Sequence, residues 1–473
     1  MGAMLMLGKV FKAYDVRATY PNPLNEQTAW KIGYGTARYL LEQAAASGDT
    51  DPMMRHILVG RDMRPSSPSL AKALMEGIRT YGAHIIDVGM VDTSFIYFAI
   101  NYLDCAGGVM VTASHNPVDY NGFKISGRQA LPIGQSTGLD EISKYAAMAD
   151  AEKVSRAPEL IGRIEERDFW DGYRDHVLSF LDLKGHSLKV VVDASNGMAG
   201  TMVKKVFKNI PGLEIIELHF RNTTGKFSHD PNPLIAANLA DVRQKVIETG
   251  AHCGICFDGD ADRGIFVDEK ADIIGCDHLT AMLAGHFLKA NPGAGIVYDL
   301  RSSRAVEEEI RAAGGKPIRS RVGHVFMKQM LREQHAVFGG ELSGHFYFRD
   351  NFYADSGAIV FAQVLSLLAE SGRKLSELVK PMARYAQSGE INFTNEEKDL
   401  ALQALEEHFS KAAEISHLDG LTIDCFKKEG WWCNVRQSNT EPVLRLNLEA
   451  RNEVVRDRMI NEIAPMLGHR VAH

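Results

Sequence analysis

KVVVDASNGMAGTMVKKVFKNI, Lys189 to Ile210, decides how this chain is read. A valine run ends at Asp193, the small polar turn Ala-Ser-Asn-Gly follows, and a helical pattern closes the unit. The same order occurs upstream at HILVG (56–60), GRDMRPSSP (60–68) and SLAKALMEGIRTYG (69–82). It occurs again downstream at AGIVYDLRSSRAVEEEIRAAGG, Ala294 to Gly315. Alternating strands and helices imply mostly parallel sheets with helices packed on them. Three such units in different thirds of the chain point to a triplicated α/β design.

The N-terminal pattern over 28–46 predicts a helix that buries Trp30, Tyr34, Ala37 and Leu41. The C-terminal part reads differently. EEKDLALQALEEHFSKAA is amphipathic, with Leu402, Leu405 and Phe409 on one side. LTIDCF and VLRLNLEA read as strands, and the alternation in VLRLNLEA predicts a half-exposed antiparallel strand. The expected domains are therefore three α/β domains over 1–163, 164–272 and 273–383, and an α+β domain over 384–473.

A chain of 473 residues is too long for one ordinary core, and 45% hydrophobic with 24% charged is the balance of a globular enzyme. The net charge of −7 argues against a nucleic-acid binder. No apolar run approaches a membrane span, and the start MGAMLMLGKV is too short for a signal peptide. Six sparse cysteines suggest a reduced, cytoplasmic protein. Cys253-Gly-Ile-Cys256 has redox spacing but lies in a strand-like run without a second pair, so it reads as two small buried residues.

Three loops carry chemistry. In VTASHNPVDYNGFKI (111–125), Ser114 stands where an apolar strand ends. On an extended backbone, adjacent side chains point opposite ways, so His115 is poorly placed to take the serine proton. A Ser-His dyad joins distant segments, not neighbours. From spacing alone, a phosphate-carrying serine and a polar capping turn are equally good readings.

FDGDADRGIFVDE (257–269) places Asp258, Asp260 and Asp262 on every second position. Carboxylates this close repel unless a cation lies between them, and hard oxygens suit Mg²⁺ or Ca²⁺. A calcium EF-hand fails, because Arg263 stands where that loop needs glycine and the flank is strand-like. RQSNTEPVLR (436–445) offers the guanidinium of Arg436 with Ser438, Asn439 and Thr440, a donor set that suits a phosphate. A fourth stretch, GGELSGHFYF (339–348), sets Glu341, Ser343 and His345 on alternate positions, so that all three can face one side. By its residues alone it reads as a strand edge with a solvated face.

Together, TASHNP, DGDADR, GELSGH and RQSNTEP, in this order, resemble the α-D-phosphohexomutase family. Within it the likeness is to the phosphomannomutase/phosphoglucomutase group, and FKAYDVR (11–17) and GRDMRPSS (60–67) add to it. The resemblance implies a four-domain, heart-shaped α/β architecture: three related domains with mixed sheets and a C-terminal α+β domain. It implies reversible interconversion of hexose 1-phosphate and hexose 6-phosphate through a phosphoserine enzyme and a hexose 1,6-bisphosphate, which also serves as activator.

By position, the resemblance makes Ser114 the phosphorylated residue and a Mg²⁺ ligand beside Asp258, Asp260 and Asp262. Lys124, Arg263, Arg17 and His345 become catalytic helpers. Glu341 and Ser343 become sugar contacts, and Arg436, Ser438, Asn439 and Thr440 grip the non-reacting phosphate. Tyr14, His115, Arg301 and His324 join the substrate-binding set. The implied partners are small hexose phosphates, with neither nucleic acid nor membrane, acting on a monomer or dimer. Two residues depart from the family pattern: Ala18 where glycine is common, and Arg301 where lysine is usual. Both bear on substrate preference. Leu342 favours the mannose/glucose mutases over the glucosamine enzymes. Phosphoglucosamine mutase is the neighbouring alternative. A metal-dependent phosphatase and a silent sugar-phosphate binder are the distant ones.

Overall fold

The computed structural model describes residues 7–150, 157–437 and 443–471. The chain forms two compact units, Met1–Ile274 with Ser343–Ser376, and Gly275–Leu342 with Glu377–His473.

In the first unit, one sheet is built from β1 (Val16–Thr19), β2 (His56–Arg61), β3 (His84–Met90), β4 (Gly107–Val111), β5 (Tyr120–Gly127) and β6 (Ile164–Glu166), in the order β1-β5-β4-β2-β3-β6. β2 pairs in parallel with β3 and β4, and β4 turns back antiparallel into β5. A second sheet holds β7 (Leu188–Asp193), β8 (Leu213–Leu218), β9 (Cys253–Phe257) and β10 (Gly264–Asp268), in the order β10-β9-β7-β8. Its design repeats the first: β7 is parallel to β8 and β9, and β9 turns back antiparallel into β10. β4 and β9 are buried at every position, as strands covered on both faces require. β14 (Phe346–Phe348) and β15 (Ala354–Asp355) form an antiparallel pair in this unit.

In the second unit, β11 (Gly295–Asp299) is again parallel to β12 (Lys316–Ser320) and β13 (Phe338–Gly340). Thus all three repeats place their first strand between their second and third. Six antiparallel strands make the tail sheet: β16 (Ala386–Thr394), β17 (Glu414–Ser416), β18 (Leu421–Asp424), β19 (Trp431–Gln437), β20 (Val443–Ala450) and β21 (His469–Val471). Helices Lys398–Phe409 and Glu453–Leu467 close its core through Leu405, Phe409, Met459, Ile463 and Leu467.

Two expectations are corrected. The N-terminal helix α1 (Glu26–Ala46) forms, capped by Asn25, but its buried face is Ala29, Ile32, Gly33, Thr36, Ala37 and Leu40. Trp30, Tyr34 and Leu41 are only half-buried. The reason is a backbone-to-backbone crossing with α2 (Ser67–Tyr81): a Cβ on Gly33 collides with the Leu74 carbonyl, and one on Gly77 with the Trp30 carbonyl. Small residues line this seam, and the aromatic rings stack beside it, Trp30 on Tyr34 and Tyr34 edge-on to Tyr81. VLRLNLEA is not half-exposed either. β20 lies between β19 and β16, and even Asn447 and Glu449 are buried. Glu449 Oε1 accepts there from Trp432 Nε1 and the Arg304 amide, both at 2.9 Å.

The sheet order decides where chemistry can sit. The turns leaving the first and third strands of each repeat lie at the carboxyl ends of neighbouring parallel strands, the side on which α/β sheets bind ligands. The third-strand exits are the loops at Ser114, Asp258 and Glu341.

Candidate active site

Ser114 follows β4 with a left-handed backbone, φ 51°, which a serine adopts only under constraint. The constraint is Arg64. This guanidinium has no exposed surface. It is held by Asp62 at 3.0 Å and donates to the carbonyls of Ser114 (2.8 Å), Asn116 (2.7 Å), Tyr120 (3.1 Å) and Pro117. Thr112 Oγ1 accepts from the Ser114 amide at 2.9 Å and donates to Asp62 at 2.8 Å. One buried ion pair therefore shapes the whole turn.

The left-handed turn also corrects the expectation for His115. Because the backbone is not extended, His115 Nδ1 comes within 3.4 Å of Ser114 Oγ. It is still no base for the serine. Arg263 Nη2 donates to that same Nδ1, occupying its lone pair. Burial, then Arg263, Arg17 and Lys124, push His115 well below the ordinary histidine range, so the ring is neutral.

The serine hydroxyl instead donates to Asp258 Oδ2 at 2.8 Å and accepts from Arg263 Nη2 at 3.1 Å. Asp258, Asp260 and Asp262 are all buried, with oxygen atoms within 4.8 Å of one another. Among the described residues, Asp260 Oδ1 and Asp262 Oδ1 have no hydrogen-bond partner. Burial, reinforced by Asp260 and Asp262, pushes the Asp258 carboxyl well above its ordinary range. Burial works against ionising Asp262, but Lys124 and His345 outweigh it and hold that carboxyl well below. Three dry carboxylates with open lone pairs and mutual repulsion fit a small hard cation with oxygen coordination.

Lys124, on β5, reaches Asp260 at 2.6 Å and also pairs with Asp262. Burial opposes its charge, yet Asp260 and Asp262 raise the ammonium above its ordinary value. Arg17, on β1, pairs with Asp15 and donates to Asn116 Oδ1 at 2.6 Å. Tyr14 is half-buried just before that strand, and Ala18 is buried on it opposite Asn121. His345 hydrogen-bonds Ser343 Oγ through Nδ1 at 2.9 Å and points Nε2 at Asp262 Oδ1, 3.5 Å away. Residues 341–345 form a turn and not a strand edge, with Gly344 at φ 86°. The expected one-sided alternation is therefore absent.

In the second unit, Glu341 Oε1 accepts from the Gly323 amide at 2.9 Å, and His324 opens the helix His324–Glu333. Arg301 forks onto Asp299 at 3.2 and 2.9 Å. Arg301, Arg436 and Arg445 converge on the single carboxylate Glu390, at 3.6, 3.5 and 3.2 Å. Arg301, shared with Asp299, thus stands with Arg436 and Arg445 around Glu390, a grouping of guanidiniums that suits an anion. Ser438, Asn439 and Thr440 lie outside the described residues.

Comparison with known proteins places the whole chain in a family. Four domain families match in chain order: phosphoglucomutase/phosphomannomutase alpha/beta/alpha domain I over 8–153, domain II over 171–272, domain III over 276–385, and the C-terminal domain over 390–466. A phosphomannomutase from Salmonella montevideo is 39% identical over 452 residues, covering 94% of this chain and 95% of that one. The chain belongs to the phosphoglucomutase/phosphomannomutase family. A protein named phosphohexose mutases, from Xanthomonas campestris pv. campestris (strain B100), is 39% identical over 447 residues, 94% of this chain and 95% of its own. The crystal structure of a phosphoglucomutase/phosphomannomutase family protein from Burkholderia thailandensis superposes with a TM-score of 0.85 at 32% identity, covering 97% of this chain and 96% of that one. The architecture is the four-domain phosphohexomutase fold.

Residue-by-residue reading of this family member missed three supports of the site. Arg64 and Asp62 fix the serine turn, and only the GRDMRPSS segment hinted at them. Thr93, the first residue of α3 (Thr93–Leu103), donates from Oγ1 to Asp260 Oδ2 at 2.5 Å and from its amide to the Asp260 carbonyl at 3.1 Å. No local pattern marks Thr93. Gly259 admits the aspartate loop against the serine loop, since a Cβ there collides with the Ser114 carbonyl. Among the described residues, no helix is long and apolar enough to cross a membrane.

Proposed function

We propose that this chain is a phosphohexomutase of the phosphomannomutase/phosphoglucomutase type, an isomerase that interconverts hexose 1-phosphates and hexose 6-phosphates. The observation that carries this reading is the Ser114 hydroxyl, held between Asp258 at 2.8 Å and Arg263 at 3.1 Å, beside three buried carboxylates and Lys124. In the resting enzyme Ser114 bears a phosphoryl group. The free hydroxyl of a bound hexose phosphate attacks that phosphorus, the P–O bond to Ser114 breaks, and the proton of the attacking hydroxyl leaves to a base. A hexose 1,6-bisphosphate results. It turns end for end, and Ser114 takes back the other phosphoryl group.

Phosphoryl transfer spreads charge over the equatorial oxygens, so positioned cations do most of the work. Arg263 and Lys124 supply two. Asp258, Asp260, Asp262 and the phosphoserine would hold Mg²⁺, which when bound neutralises the transferring group. Arg17 and His345 are the two candidates for handling the sugar-hydroxyl proton. The family resemblance assigns Tyr14, His115 and Ser343 of the first unit, and His324 and Glu341 of the second, to contacts with the sugar. Arg301 and Arg436, with Ser438, Asn439 and Thr440, bind the distal phosphate. The bisphosphate activates by phosphorylating Ser114. Free, buried cysteines accord with action in the reducing cytoplasm.

The test is an assay with mannose 1-phosphate, glucose 1-phosphate and glucosamine 1-phosphate, each with Mg²⁺ and the matching 1,6-bisphosphate. Turnover of the mannose and glucose substrates is expected. Activity with glucosamine 1-phosphate alone, or release of inorganic phosphate in place of isomerisation, contradicts the reading.

A further inference from the structure

Each of the three repeats has, at the end of its first strand or one residue past it, an aspartate whose Oδ1 accepts the amide two residues on: Arg64 on Asp62 (3.0 Å), Ser195 on Asp193 (2.9 Å) and Arg301 on Asp299 (2.8 Å). In the first and third repeats that second residue is an arginine, whose guanidinium pairs with the same carboxylate. In the second repeat it is Ser195, which brings no charge. Asp193 is fully buried, and in place of a guanidinium it faces an imidazole and a thiol.

We propose that Asp193, His229 and Cys256 form a second metal site, for a borderline-soft divalent cation of the zinc class, separate from the three carboxylates beside Ser114. Asp193 and Cys256 are cross-strand partners on β7 and β9, and His229 comes from the segment after β8. Their ligand atoms all lie within 4.8 Å of one another. A carboxylate oxygen, an imidazole nitrogen and a thiolate are a zinc donor set, whereas Mg²⁺ takes oxygens only.

The imidazole is oriented to hold either a second proton or a cation. Nδ1 faces the Asp230 carbonyl at 2.9 Å, and Nε2 faces Asp193 Oδ2 at 3.2 Å. A carbonyl only accepts, so the single proton of neutral imidazole belongs on Nδ1. That leaves the Nε2 lone pair against a carboxylate. A second ring proton relieves this in the metal-free protein, and a cation between Nε2, Oδ2 and Sγ relieves it in the loaded one. The outer contacts are those of a built metal site. The histidine gives its other N–H to a carbonyl, the aspartate has its second oxygen on the Ser195 amide, and the thiol lies 3.8 Å from Ser195 Oγ.

On binding, Cys256 loses its thiol proton to solvent, His229 ligates through Nε2, and no redox change occurs. Asp193 and Cys256 are buried while the His229 side chain is 18% exposed, so the ion enters on that side and a water completes the tetrahedron. Cys253, three residues back along the strand, points to the other face, so the C-x-x-C spacing is not the ligand set.

The experiment uses the metal-stripped full chain in saturating Mg²⁺, which fills the oxygen site, titrated with Co²⁺ as a spectroscopic zinc substitute. One equivalent is expected, with thiolate-to-cobalt charge-transfer absorption that Zn²⁺ abolishes. Cys256→Ala should lose the band, His229→Gln should weaken binding by more than about tenfold, and Asp260→Asn should keep the band. X-ray absorption of the zinc-loaded wild type needs no variant. It should show one sulfur at about 2.3 Å among lighter ligands at about 2.0 Å. Absence of the band in the wild type, its survival in Cys256→Ala, or a zinc shell without sulfur overturns the proposal.

Discussion

The Ser114 hydroxyl donates to Asp258 Oδ2 at 2.8 Å, although the two residues lie 144 positions apart. The loops that leave the third strands of the first two repeats thus meet at the serine hydroxyl. If Ser114 is the phosphoryl carrier, Ser114→Ala should lower mutase turnover by more than about 1,000-fold, the scale of losing a covalent nucleophile. Circular dichroism of the variant should be unchanged. Turnover within tenfold of wild type would remove the serine from the mechanism.

The acidic trio makes a metal prediction. Chelation should abolish turnover and Mg²⁺ should restore it. Burial with Asp260 and Asp262 raises the Asp258 carboxyl, so in metal-free protein this one carboxyl costs stability at neutral pH. Asp258→Asn removes one of the repelling charges. The chelated variant should melt about 2–4 °C above chelated wild type, while its activity is lost. Differential scanning calorimetry with and without Mg²⁺ checks both signs.

Gly259 separates the two loops. Because a Cβ there collides with the Ser114 carbonyl, Gly259→Ala should displace the serine without unfolding the sheet. A misplacement on the order of 1 Å lowers kcat by roughly 100-fold. The kcat should fall with the melting temperature nearly unchanged, and an unaltered kcat would refute the close approach.

Arg64 is a positioning residue. Arg64→Met leaves Asp62 charged, buried and unpaired, and frees the carbonyls of Ser114, Asn116, Pro117 and Tyr120. Urea unfolding should show a loss of about 3–5 kcal/mol. Because the serine turn loosens while substrate contacts remain, kcat should fall with KM nearly constant. Equal changes in both would mean that Arg64 contacts substrate.

Much of the chemistry was readable because it is local. Three aspartates on alternate positions and a serine at a strand exit are set by spacing, and the repeated strand–Asp–turn–helix order survives in all three sheets. What was not readable depends on residues brought together by the fold. Trp30 and Tyr34 look like a helix face, but the α1–α2 seam runs through Gly33 and Gly77, where backbones touch. Glu449 looks exposed, yet it is buried inside the sheet, where its Oε1 accepts from Trp432 and the Arg304 amide. His115 was placed away from Ser114 on the assumption of extended backbone. The left-handed turn imposed by Arg64 brings the two together, and Arg263, far along the chain, disarms the histidine.

A pH prediction follows from Asp92, which caps α3 next to Thr93. Its Oδ2 accepts from Tyr173 and the Phe95 amide, at 2.8 and 3.2 Å. Burial pushes this carboxyl up to about 7. The folded value lies above the unfolded one, so the stabilisation is fully present below about pH 4 and is lost as pH rises through 7. Asp92→Asn keeps an acceptor but cannot ionise. Relative to wild type, its melting temperature should therefore improve steadily between about pH 4 and pH 7. A constant difference across that range would contradict the assignment.

The most direct measurement follows one phosphoryl group. The enzyme is incubated with hexose 1,6-bisphosphate carrying labelled phosphate, freed of ligand, and mapped by peptide mass spectrometry, then chased with unlabelled mannose 1-phosphate or glucose 1-phosphate. One label on the peptide containing Ser114, leaving within the chase and recovered in hexose phosphate, is the predicted result. A label on another residue, or one that leaves only as inorganic phosphate, would contradict the account.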